Sequence, residues 1–296
     1  MRGRSQATLV AAVFAVLSLI APLVGLLSSA VIALVTLRKG AQEGLIVDAF
    51  AGFASGLLVF AALGSPQPAV GFVLILWLPV WVLGLVLRQT RSLSLTVEVA
   101  ALFGLLVAAG IRLLIGDPVA HWMELLEPVR LSLVKSSVID AVVSERLAAQ
   151  AARWMTGAFA ATFYSQLLLA LFIGRWWQAL LYNPGGFGAE FRALRMHPGV
   201  AYPALGLAVA ALLLDGAMWA TDLLLLSAPL FFLQGMAIVH GLAHTYSTHR
   251  GWLVGFYGLL LLAMPYAEML VAGFGFLDSW VDLRTRLAGR KTRKNG

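Results

Sequence analysis

Three ionisable side chains stand in the last two apolar stretches of the chain: His240 and His244, four residues apart, and Glu268, just after Met264 and Pro265. An ionisable group inside a membrane span costs roughly 2.5 to 3.5 kcal/mol on insertion scales, so each marks a candidate functional position. Histidines four apart share a helix face, the spacing of helical metal pairs. No acid of the HExxH kind lies between them, so hydrogen bonds to neighbouring helices are expected and a metal is not. Leu233, Ala237, His240, His244 and Ser247 share that face, with Gln234 about 100° away. Pro265 frees a backbone carbonyl and bends its helix ahead of Glu268. A further acid, Asp48, falls with Ala41, Gly44, Gly52 and Ser55 on one side of an earlier apolar stretch. It points into a groove of small residues, where a carboxylate faces a cavity, a neighbour or an ion. Its closeness to Arg38 and Lys39 leaves open a headgroup-level pairing with a base.

The elements that carry these groups follow from composition. Of 296 residues, 60% are hydrophobic and only 12% charged, with a mean hydropathy of +0.88. A soluble domain averages about 25% charged residues, so lipid must be the solvent. The lack of cysteine excludes disulfides, thiolate metal sites and cysteine nucleophiles. The basic start followed by an apolar run resembles a signal peptide, but the run continues to Leu37 without a small-residue cleavage site. It reads as a retained first membrane helix.

Measured against the ~20 apolar residues of a spanning helix, the candidates are 7–22, 26–37, 44–63, 70–87, 93–115, 154–173, 200–214, 223–243 and 252–272. The short 26–37 stretch, after Pro22 and Gly25, reads as a half-helix. Arg38, Lys39, Arg88 and Arg91 place their turns in the cytoplasm with the N-terminus, and the uncharged turn at Pro66 outside. The net charge of +7 sits largely in Arg284, Arg286, Arg290, Lys291, Arg293 and Lys294, a cytoplasmic anchor at anionic headgroups. No aromatic residue interleaves those charges, so nucleic acid is not an expected partner. Nine crossings would leave this tail outside, so about eight are expected.

Between the spans, Glu98 and Arg112 are about 21 Å apart on a helix, each near a headgroup region. Residues 117–153, with Pro128 as a break, read as an external amphipathic segment, either a lid or an interfacial linker. Residues 183–188 lack the lysine of a phosphate loop and read as a tight turn. Asp215 and Asp222 mark an external turn. The result is one all-α membrane domain: five spans over 7–115, the external segment at 116–153, further spans over 154–272, and a basic tail at 273–296.

Ala7, Ala11, Ala15 and Ser18 line one face of the first helix, where small residues admit another helix closely. The face either packs inside the protein or docks a partner subunit. Gln234-Gly235-Met236-Ala237-Ile238-Val239-His240 and the exit built on Gly275, Asp278, Trp280, Asp282 and Arg284 resemble the closing signature of the YybS-like bacterial membrane family, the domain of unknown function 2232. The resemblance covers most of the chain. That family has no established activity and is similar, distantly, to the substrate-capturing S components of energy-coupling-factor vitamin transporters. The resemblance implies an alanine-rich docking helix at Ala7, Ala11 and Ala15, a short second helix and a glycine-linked third. S components have about six spans, so the C-terminal hairpin is an addition.

The expected protein is a polytopic bundle of eight to nine membrane helices in a bacterial inner membrane, with N-terminus and basic tail cytoplasmic. It has no catalysis and no cofactor. It holds a small solute in an external-facing cavity with Asp48, Ser55, Gln234, His240, His244 and Glu268 as candidate contacts. It meets membrane lipids and, since no nucleotide-binding motif is present, an ATPase-containing transporter module. The alternative is a membrane scaffold like those of cell morphogenesis. A membrane enzyme using His240, His244 and Glu268 or Asp48 is a third reading, which requires those groups to meet.

Overall fold

The computed structural model describes residues 3–214, 218–246 and 248–282. Asp215, Ser247, Arg284 and the basic tail lie outside the described residues. The chain is all-helical, at 86% helix, with no strand among the described residues. The chain divides into two compact units, Met1–Ala100 with Tyr164–Arg195, and Ala101–Phe163 with Met196–Gly296.

In the first unit α1 (Arg4–Leu17), α2 (Val24–Lys39) and α3 (Ala41–Leu63) form a tight trio. Ala7, Ala11, Ala12 and Ala15 are buried in a cluster with Val31, Ile32, Val35, Val47 and Ala51. The alanine face, read as either internal packing or a docking surface, is covered by α2 and α3 of the same chain. Small side chains bring the backbones close enough for Ser28 Oγ to donate to the Ala11 carbonyl at 2.7 Å. α2 is buried along nearly its whole length. Enclosed by protein, it need not match the bilayer, which explains why it is short.

Gly40 turns α2 into α3 with a φ of 103°, a left-handed conformation open to glycine. α4 (Gln67–Gly71), a π-helical segment (Phe72–Trp77) and α5 (Leu78–Thr90) run as one apolar stretch. Pro79 stands two residues after the π segment; it has no N–H to donate, and its ring would crowd the Ile75 carbonyl in a regular helix. α8 (Ala141–Tyr182) supplies its C-terminal half to this unit, followed by Gly185 at a φ of 84° and α9 (Gly186–Arg192).

The second unit takes the C-terminal part of α6 (Leu93–Leu114), α7 (Pro118–Lys135), the start of α8, and α10 (Pro198–Leu213), α11 (Met218–Thr245), α12 (Arg250–Leu262) and α13 (Tyr266–Val281). Asp117 caps α7 by accepting from Ala120 N at 3.0 Å, with Pro118 next to it. Pro128, expected as a break, sits inside α7. Residues 141–153 belong to α8, which runs for 42 residues. On α7 the Arg130 guanidinium beside Glu127 holds that carboxyl below its ordinary range. A depressed carboxyl pKa means support present above the unfolded value and lost as pH falls through the folded one.

Five described helical stretches are long and apolar enough to cross a membrane: Ala41–Leu63, Gln67–Thr90, Leu93–Leu114, Ala141–Tyr182 and Met218–Thr245. The pair Gly251–Leu262 and Tyr266–Val281, bent by 117°, adds a sixth where the two count as one broken span; the alternative is a re-entrant loop. The total falls short of the expected eight to nine because α1, α2 and α10, at 14 to 16 residues, cover only about 21–24 Å.

The closest packing in the second unit joins α11 to α13. A methyl group on Gly235 would overlap the Val271 carbonyl, and one on Gly275 would overlap the Phe231 carbonyl and lie 2.7 Å from Gly235 N. Phe231, Phe276, Trp280 and Tyr202 stack edge-on around that contact. Gly275→Val should lower the melting temperature of the detergent-solubilised protein sharply, by about 3 kcal/mol or more of stability. Gly206→Ala on α10, where an added methyl meets nothing within 4 Å, should be neutral or slightly stabilising. Equal effects of the two would refute the packing argument.

Candidate functional site

Asp48 on α3 is 1% exposed, and neither carboxylate oxygen has a hydrogen-bond partner among the described residues. Its chain neighbour Val47 and Ala51 lie in the cluster of small and branched residues that also encloses Trp77, whose indole N–H is likewise buried and unpartnered. Ser55, two turns on, is buried and donates to the Gly52 carbonyl of its own helix at 3.1 Å. The base-paired acid at the start of α3 is Glu43, not Asp48: Arg4 Nε meets Glu43 Oε2 at 2.7 Å, and a second guanidinium nitrogen meets the other oxygen. Glu43 drew no notice in the sequence because Arg4 lies 39 residues away.

The other four candidates belong to the second unit and separate into distinct surroundings. Gln234 is fully buried on α11. Its Oε1 accepts from Met196 N at 2.9 Å, which fixes the amide orientation. Its Nε2 then donates to Asp278 Oδ2 at 3.1 Å and leans toward Ser279 Oγ at 3.4 Å. Gln234 thus ties the chain after Arg195 to α13, and Asp278 of the signature exit is its partner. Gly235 and Gly275 permit this, since the two helices must nearly touch for so short an amide to reach across.

His240 Nε2 lies 2.7 Å from the Tyr257 hydroxyl on α12, the interhelical hydrogen bond expected for one of the two histidines. His244, one turn on, is exposed, and Glu268 is half-exposed in the first turn of α13. No group of three His, Cys, Asp or Glu side chains able to hold a metal occurs among the described residues.

A pairing that sequence reasoning missed joins Arg112 to Asp222. Arg112 Nε donates to Asp222 Oδ2 at 2.8 Å with a second guanidinium nitrogen beside it, and Gly157 N donates to Oδ1 at 2.9 Å. Asp222 is 2% exposed and lies inside α11 rather than in a turn, with Arg112 as its partner. Gly157 makes the approach possible, since a methyl there would lie 2.6 Å from Asp222 Cα. The signal available beforehand was one basic and one acidic residue, each stranded in an apolar helix and needing a partner.

No protein-family model, curated protein or solved structure matches this chain.

Removing one member of a buried pair leaves the other charge uncompensated, whereas removing both leaves a packed apolar contact. Asp222→Asn should cost on the order of 3 kcal/mol. The Arg112→Met, Asp222→Leu double variant should recover most of that loss. Additive losses in thermal unfolding would show that the two side chains do not act on each other.

Proposed function

We propose that the chain is a non-catalytic subunit of a bacterial inner membrane that binds or moves a small solute, in the manner expected of an S-component-like protein. Asp48 is the observation that carries this reading. A buried carboxylate without donor or cation has to be balanced by a proton or a bound cation, because an isolated ionised group in an apolar interior is prohibitively costly. A structural protein gains nothing from such a group; a protein that loads and unloads one does. The other buried acids of the described spans have partners in the fold, so Asp48 is the one placed to exchange its counterion. Charge asymmetry puts the N-terminus and the basic tail on the cytoplasmic side. An ATPase-containing partner would engage a surface other than Ala7, Ala11 and Ala15, which are already packed.

The scaffold reading draws on a different observation: Gln234 is buried with its amide used on both sides, and Gly235 and Gly275 stand in close backbone contact beside it. Labelling separates the two. Dicyclohexylcarbodiimide, an apolar reagent for protonated carboxyls, should modify Asp48 in the purified protein, with loss of the adduct in Asp48→Asn and protection by the cation or solute that binds. Mass spectrometry of the wild-type protein should also find a co-purifying small molecule that Asp48→Asn lacks. An unlabelled Asp48 and identical bound content in both proteins would overturn the proposal and leave the scaffold.

A further inference from the structure

A second feature of the first unit is independent of Asp48. Where α2, α5 and α8 end together, a cavity of about 480 Å³ is lined by Leu37, Leu87, Arg88, Arg91, Arg175, Gln178, Tyr182, Asn183 and Glu190. Its volume falls in the about 300–1,000 Å³ of small-molecule sites. Helix C-termini carry partial negative charge, so three of them meeting should attract cations and repel anions. Arginine supply exceeds that need.

Arg175 is occupied: its Nε meets Glu190 Oε2 at 2.9 Å, a second nitrogen meets the other oxygen, and Nη1 lies 3.3 Å from Gln178 Oε1. Glu190, the single acid of the lining, is thereby neutralised. Arg88 Nη1 donates to the Leu37 carbonyl at 2.6 Å, and Gln178 Nε2 approaches the same oxygen at 3.4 Å. The α2 terminus is thus capped, and Arg88 is held in place with most of its N–H donors still available. Arg91 has no partner among the described residues and is held by a backbone φ of 54° at the end of α5. Two guanidiniums therefore border one cavity with no carboxylate between them.

We propose that this cavity is an anion site for a phosphate group, bound by the forked N–H donors of Arg88 and Arg91, which suit phosphate oxygens better than a lysine would. The phosphate belongs either to the head group of an anionic phospholipid or to a free phosphate species. The cavity lies at the last turn of the apolar stretch Gln67–Thr90, and Leu181 and Tyr182 beside it are exposed, which is a lipid-facing setting.

Native mass spectrometry of the full chain in neutral detergent, with added phosphatidylglycerol or phosphatidylcholine, reads the lipid arm. Thermal unfolding with millimolar inorganic phosphate, against equal ionic strength of chloride, reads the free-ion arm. Arg91→Gln is the informative variant, since Arg88 also caps α2 and its loss could unfold the unit. Preferential retention of phosphatidylglycerol, weakened about tenfold by Arg91→Gln, supports the site with a lipid phosphate. Stabilisation by inorganic phosphate that Arg91→Gln abolishes supports it with a free one. Equal phosphatidylglycerol retention by wild type and Arg91→Gln, with no phosphate effect on either, overturns it. None of these readouts depends on Asp48, so either proposal can fail alone.

Discussion

Moving a carboxylate or an amide from water into packed apolar helices costs several kcal/mol unless a donor or a cation goes with it. That constraint accounts for how the interior is arranged. Asp222 draws Arg112 and a backbone N–H of α8 to it, which ties three helices at one point. Gln234 satisfies the Met196 N–H and a carboxylate of α13 at once. Each polar group acts as a pin whose partner lies far along the chain, so these bonds specify which helices neighbour one another, while apolar contact supplies bulk attraction. Asp48 departs from the pattern, and departures from local consistency are where function is to be sought.

These polar pins reach only because the backbones come close. Gly157 stands against Asp222, and Gly235 and Gly275 stand against each other. In an apolar medium helices gain little from hydrophobicity alone, so small residues that permit close backbone contact, together with interhelical hydrogen bonds, decide the packing. Polar residue and glycine therefore work as neighbours in sequence: Gln234 with Gly235, and Asp278 one turn after Gly275.

Much of the helical character was legible beforehand. Apolar length located α3, α6 and α11, and the small-residue face of α1 announced a close neighbour. What escaped was whatever depends on distant partners. Arg112 and Asp222 each looked like a boundary marker because 110 residues separate them. Pro128 looked like a break, yet α7 continues through it, and residues 141–153 looked like the end of an amphipathic segment, yet they begin a 42-residue helix. Charge and proline are read locally, and here tertiary packing overrides both. The candidate site was legible in part: Asp48 and Gln234 were marked by polarity in apolar surroundings, but nothing local distinguished a carboxylate left alone from an amide fully used.

The π segment at 72–77 shifts the phase of its helix. One additional residue in a turn rotates everything beyond it by about 100° relative to a regular α-helix, so a helical wheel drawn through 67–90 assigns wrong faces on one side of Trp77. Deleting a single apolar residue there would restore ordinary winding. It would also swing Arg88 off the carbonyl of Leu37 and carry Arg91 with it, dismantling the basic recess by torsion alone, with every side chain that lines it still present.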